Sequence, residues 1–157
     1  MRYSQLTKEQ FEELHEEFAL FLATQKIDVK EWEEIKKDKP EVADEELNLF
    51  SDLVWEKVLG KSKYLEHFSK DSINLFKCEE EGISRIVVKS TIPNFDFTEK
   101  ENFEWFVDNS QNEKVEYFRG EKKYTKERND ELFDLIQQGS VVSDGNLYKA
   151  VSKIITR

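Results

Sequence analysis

The most strongly patterned stretch of the chain, residues 44–60, reads DEELNLFSDLVWEKVLG. Wound at about 100° per residue, it sets Leu47, Leu49, Phe50, Leu53, Val54 and Val58 on an arc of roughly half the circumference, wider than the stripe a surface helix buries. An arc that wide calls for cover on more than one side. Trp55 and Leu59 fall outside it, beside Asp44, Asn48 and Asp52, so they are either covered by another part of the chain or left for a partner. Gly60 stands where a left-handed helix cap is usual.

Before this stretch the pattern predicts two further helices. Thr7 and Gln10 have the spacing of a capping box, and Phe11, Leu14, Phe18, Phe21 and Leu22 then recur at helical spacing to about Gln25. Leu20 points outward from that helix. Glu12, Glu13, Glu16 and Glu17 crowd its outer face, where each like-charge pair one turn apart costs roughly a few tenths of a kcal/mol. Asp28 and Glu31 repeat the N-terminal signature ahead of Val29, Trp32 and Ile35, and Lys39-Pro40 stops that second helix. Pro40 suits the first turn of the third. Short links between the three predict an antiparallel cluster.

From Lys61 onward the periodicity changes. After an aromatic-rich link, YLEHF, the runs SINLFKCE and ISRIVVKS read as strands, with Glu80-Glu81-Gly82 as their hairpin loop. Apolar residues on both faces of these strands predict a sheet covered on both sides. Thr98 and Glu101 open a fourth helix carrying Phe103, Phe106 and Val107, and a strand VEYFR follows from Val115. Strand, helix and strand in succession make a right-handed crossover if the two strands are parallel. Residues 125–138 form a fifth helix ended by Gly139, and Leu147, Tyr148, Ala150, Val151, Ile154 and Ile155 mark an amphipathic last one. The fold class predicted is α+β over a single domain, residues 1–157: an acidic N-terminal three-helix cluster packed on a small, mostly antiparallel sheet with further C-terminal helices.

Charge refines this picture. Of 157 residues, 37% are charged, and the net charge is −10; twelve Phe and the clear periodicity nevertheless mark a folded chain. Residues 1–60 hold 16 acidic and 8 basic side chains, net −8, whereas the remainder is only −2. A field of that sign repels phosphates and anionic headgroups and favours basic partners. The lone cysteine, Cys78, has no internal disulfide partner. The opening MRYSQLTKEQFEEL lacks the apolar core of a secretory signal, and no run approaches the ~20 apolar residues of a membrane span. A cytoplasmic protein with Cys78 reduced is the expectation.

Few motifs carry chemistry. Glu12 and His15 have the Glu-x-x-His spacing of carboxylate-bridged di-iron bundles, but His67 has Tyr64 where a second glutamate is needed. A partly buried, hydrogen-bonded His15 is the ordinary outcome of its place at the stripe edge. Cys78, in a strand among apolar neighbours, reads as a buried inert thiol. The glycines are spent on helix ends and connections, and neither GxGxxG nor GxxxxGK[ST] occurs, so no cofactor is called for. The most basic window, RGEKKYTKER at residues 119–128, is diluted by Glu121 and Glu127 and reads as an exposed mixed-charge loop leading into a helix rather than a nucleic-acid contact. What remains is a docking surface of Trp55, Leu59 and Asp52, joined by Leu20, since tryptophan at an acidic rim complements a basic partner.

At QLTKEQFEELHEEFALFLATQ, at EELNLFSDLVWEKVL and at the following YLEHFS, the chain resembles a bacterial family of short, acidic proteins catalogued as a domain of unknown function. The resemblance spans most of the chain. It implies a stand-alone bacterial cytoplasmic protein and supplies no activity, cofactor or catalytic residue. The expected function is a non-enzymatic binding or regulatory protein that docks through its acidic helical face on a basic protein or a ribonucleoprotein. Two alternatives stand beside it: a small enzyme with a site of carboxylates and His15 or His67, and an acidic inhibitor or immunity-type protein.

Overall fold

A computed structural model of the chain describes residues 1–156, which sort into two units, residues 1–60 and residues 61–156. The boundary coincides with the change in periodicity and charge.

In the first unit Thr7 closes the anticipated capping box: its hydroxyl accepts the Gln10 N–H at 3.2 Å while its own N–H donates to Gln10 Oε1 at 2.8 Å. The helix that follows is broken. Helix α1, Lys8–Glu13, stops at Leu14, whose φ of −101° and ψ of 22° leave helical geometry, and α2 runs His15–Thr24. Asp28 caps α3, Val29–Asp38, by accepting the Glu31 N–H at 2.8 Å. Leu22, Trp32 and Ala43 form the buried centre, and Phe18, Phe21, Ile35 and Leu47 close around it. The Phe18 ring meets Trp32 and Phe50 edge-on at 5.2 and 5.1 Å between centroids, the geometry aromatic quadrupoles favour. Helix α4, Pro40–Lys61, begins on its proline as expected. It does not end on a left-handed Gly60: positive φ among the described glycines occurs at Gly139 and Gly145, and Gly60 is an interior helical residue.

The second unit is built on a five-stranded sheet of order β4-β3-β2-β1-β5, with β1 Tyr64–Phe68, β2 Ser72–Cys78, β3 Gly82–Ser90, β4 Val115–Lys123 and β5 Val141–Ser143. Three sequence expectations change here. The YLEHF segment is a strand, paired on both sides, because its alternation of Leu65 and His67 against Tyr64, Glu66 and Phe68 serves two faces. Every pairing is antiparallel, β3 with β4 included, so α5, Lys100–Asp108, returns the chain without a parallel crossover. The basic window begins inside β4 and not in a loop. A short β5, unmarked by any long apolar run, adds the fifth strand.

Alternation divides the sheet. Ile73, Leu75, Ile86 and Val88 share one face with Phe97, Phe106, Val115, Tyr148 and Val151, which places α5 and α7, Asn146–Ile155, over it. Helix α6, Arg128–Gln137, belongs to the other face. Arg128 pins its start to the strands, with Nε donating to the Glu79 carbonyl at 3.2 Å and Nη2 to the carbonyls of Cys78, at 3.3 Å, and Ser62. The result is an α+β fold.

Candidate functional site

The flank of α4 that the sequence marked for docking is occupied by the chain's own beginning. The Asp52 carboxylate accepts the backbone N–H of Arg2 at 2.8 Å and of Tyr3 at 2.9 Å. Glu56 accepts from the Tyr3 hydroxyl and pairs with Arg2 at 3.1 Å. Farther along, Ser51 Oγ accepts the Leu6 N–H at 3.0 Å while donating to the Leu47 carbonyl at 2.7 Å, and Gln5 reaches Asp44 and Asn48, each at 3.0 Å. Residues 2–6 thus lie as a strap along α4, pinned by polar groups and sealed by buried Tyr3 and Leu6.

Leu59 is 0% exposed. A helical wheel fixes the angle at which a side chain leaves the helix, but not what the chain lays over that angle. Trp55 is partly buried, with the Tyr3 ring 6.5 Å away. Asp52 holds the strap. Leu20, in α2, is 69% exposed, as its outward position predicted.

The open apolar surface lies instead within the arc assigned to the core. Leu49 and Leu53, one turn apart on α4, are 54% and 58% exposed. With Tyr3, Phe21 and Thr24 they line a shallow groove of about 620 Å³ whose edge carries Asp52 and Glu56. Gln25, also in the groove wall, donates to Glu46 Oε2 at 2.6 Å. Leu20 precedes Thr24 by four residues, so it extends the same side of α2 beyond the groove. The groove escaped sequence reasoning because the apolar arc was read as buried all round. The one sequence signal nearby is Leu6, which precedes the Thr7 cap as a hydrophobic staple would and marks the segment before α1 as packed.

The metal candidates do not converge. Glu12 and His15 flank the break at Leu14 and both are exposed; His15 Nδ1 donates to the Glu12 carbonyl at 2.9 Å, which spends that ring nitrogen on the backbone. His15 is exposed rather than partly buried, since the helix breaks at the preceding residue.

In the second unit, Cys78 is buried, and burial pushes its thiol up to about 12 against the opposing pull of the Arg128 guanidinium. It is a protonated structural thiol at neutral pH. The buried carboxylate of Glu131 is likewise structural: Oε1 accepts the Thr125 N–H and hydroxyl, both at 2.8 Å, and Lys122 stands 3.8 Å from Oε2. Desolvation pushes its pKa upward, but these hydrogen bonds and the Lys122 charge outweigh it and hold the group below the ordinary carboxylate value. Such a group clasps the turn into α6 and is poorly placed to hold a proton for acid-base work.

No helix among the described residues is long and apolar enough to cross a membrane. No curated protein and no solved structure matches the chain. A family model described as a family of unknown function, DUF6495, matches residues 1–156, and the chain belongs to that family.

Proposed function

We propose that the protein is a non-enzymatic docking protein whose helical unit, residues 1–60, takes a basic, amphipathic segment of a partner protein into the Leu49/Leu53 groove. The observation that carries this reading is the pair of exposed leucines one turn apart in a unit of net charge −8. Two such side chains, each more than half exposed beside Phe21 and Tyr3, provide an apolar anchor site. The surrounding carboxylates repel acidic and phosphate-bearing surfaces and raise the encounter rate with cationic ones.

An amphipathic helix presents apolar anchors three and four residues apart, the spacing that Leu49 and Leu53 themselves present. Lys and Arg on its flanks would face Glu46, Asp52 and Glu56. The basic surface of a ribosomal or other ribonucleoprotein component supplies such segments, and direct contact with the nucleic acid is not part of this reading. A bacterial, cytoplasmic setting, implied by the resemblance at residues 5–25 and 45–59, belongs to the same proposal.

Calorimetry with a lysine- and leucine-based helical peptide tests it. The peptide should bind at low salt and weaken with ionic strength. A scrambled peptide of equal charge, or the double variant Leu49→Ser/Leu53→Ser, should bind about tenfold more weakly or worse, since each buried leucine contributes about 1.5–3 kcal/mol. Equal binding by the scrambled peptide, or by the double variant, would reduce the interaction to unspecific charge attraction and end the proposal.

A further inference from the structure

On the α6 side of the sheet, part of the face stays open and the groups there form a cleft. Strand alternation and register bring His67 of β1, Asn74 and Phe76 of β2, Arg85 of β3 and Gly120 of β4 onto that face. Leu135 of α6 and Gln138 just past its end form the facing wall, and the open-sided cleft measures about 600 Å³, within the range of small-molecule sites.

Arg85 dominates this cleft. Its Nε and Nη2 donate to Asn74 Oδ1 at 3.1 and 2.5 Å, and its guanidinium carbon lies 5.6 Å from the centre of the Phe76 ring. One edge of the fork is thereby held and the plane is supported from beneath, while the Nη1 side is left to accept a ligand. Directly opposite in register stands Gly120, where a Cβ would meet nothing within 4 Å; the absent side chain keeps the floor before the guanidinium clear. Among the described residues no carboxylate forms an ion pair with Arg85.

The remaining charges of the cleft cancel. Lys122 stands 3.8 Å from Glu131, and Lys126 is paired with Asp134. Glu121, between Gly120 and Lys122 in β4, projects by alternation from the opposite face of the sheet. Arg85 leaves one positive charge above apolar walls contributed by Phe76, Ile83 and Leu135.

We propose that this cleft binds a small organic monocarboxylate, its carboxylate on the open edge of Arg85 and its apolar body against Phe76, Ile83 and Leu135. A single cation matches a single anion; a di- or polyphosphate would bring charge for which the cleft holds no counterpart. The planar fork also suits the two oxygens of a carboxylate.

Nuclear magnetic resonance titration of the full chain with hexanoate, benzoate and indoleacetate tests the site, with the corresponding primary amides and inorganic phosphate as controls. At least one carboxylate should shift the Gly120 amide and the His67 ring resonances saturably. Its amide should bind about tenfold more weakly or worse, as should the carboxylate to Arg85→Gln, because a charge-assisted hydrogen bond is lost in each case. Gly120→Val, which fills the floor without a backbone clash, should remove binding while leaving the rest of the spectrum in place. The proposal is overturned if none of the three carboxylates moves these resonances, if amide and carboxylate bind alike, if Arg85→Gln binds undiminished, or if phosphate binds more tightly than every carboxylate.

Discussion

The Asp52 carboxylate accepts the Tyr3 backbone N–H at 2.9 Å, tying the beginning of the chain to the middle of α4. The same carboxylate takes the Arg2 N–H; both donors are neutral, so Asp52 holds the strap and keeps its negative charge. Asp52→Ala should cost about 1–2 kcal/mol, toward the lower end for hydrogen bonds to a charged group because the site is partly solvated. It should also free the strap. Denaturant unfolding gives the first quantity. Acrylamide quenching of Trp55, in a background with Trp32 and Trp105 replaced by Phe, reports the second, and should rise in the variant.

Two glycines separate what the sequence pattern anticipated from what the backbone does. Gly139 ends α6 at a φ of +117°, and a Cβ there would lie 2.9 Å from His67 Nε2. Gly60 has negative φ inside α4 and open space around it. Gly139→Ala should therefore destabilise by more than about 1 kcal/mol. Gly60→Ala should stabilise by up to about 1 kcal/mol, through lower backbone entropy in the unfolded chain. Thermal melts of the two variants should move in opposite directions; a loss of stability for Gly60→Ala would restore the left-handed cap.

Glu131 sets a pH dependence. Its folded pKa lies below the ordinary value of 4.5, so the charged carboxylate stabilises the fold above that value, and the contribution disappears as pH falls through the folded pKa. Glu131→Gln should remove it. The stability gap between the native chain and this variant should thus be full near neutrality and close in acid, below the glutamate range. A gap independent of pH in urea titrations would show that the carboxylate acts only by shape.

Cys78 should be inert while the chain is folded. With the thiol held up to about 12 by burial, iodoacetamide at mildly alkaline pH should modify it only after denaturant is added. Rapid modification of the native protein would place the residue at the surface.

Much of the fold is legible in the pattern of residues, and the failures have particular causes. Local chemistry is legible at the Thr7 box, the Asp28 cap, the Pro40 start and the hairpin between β2 and β3, but not at Gly60, which takes no left-handed cap, or at Thr98, which donates to Asp96 while Glu99 stands at the start of α5. The break at Leu14 was missed because the apolar repeat runs unbroken across it. The strand YLEHF was missed because aromatic residues at mixed spacing fit a link as well as a strand, until pairing with both β2 and β5 decides. For the site, the pattern recognises that α4 carries more apolar surface than a lone surface helix, but it does not show which part of the arc stays open. Leu49 and Leu53 belong to the wide arc and remain open, while Leu59 lies outside the arc and is fully buried. Nothing in periodicity tells that residues 2–6 will lie against Ser51, Asp52 and Glu56.

The most direct test of docking through the helical unit is site-specific photocrosslinking in the native cell. A benzoylphenylalanine placed at Leu53 is compared with one at Val107, an equally exposed apolar position of the second unit. Docking in the groove should give a crosslink from position 53 to a basic segment of one polypeptide, absent from position 107 and lost when salt is raised or Leu49 is replaced by Ser. Crosslinks of equal yield from both positions, or none from position 53, would contradict it.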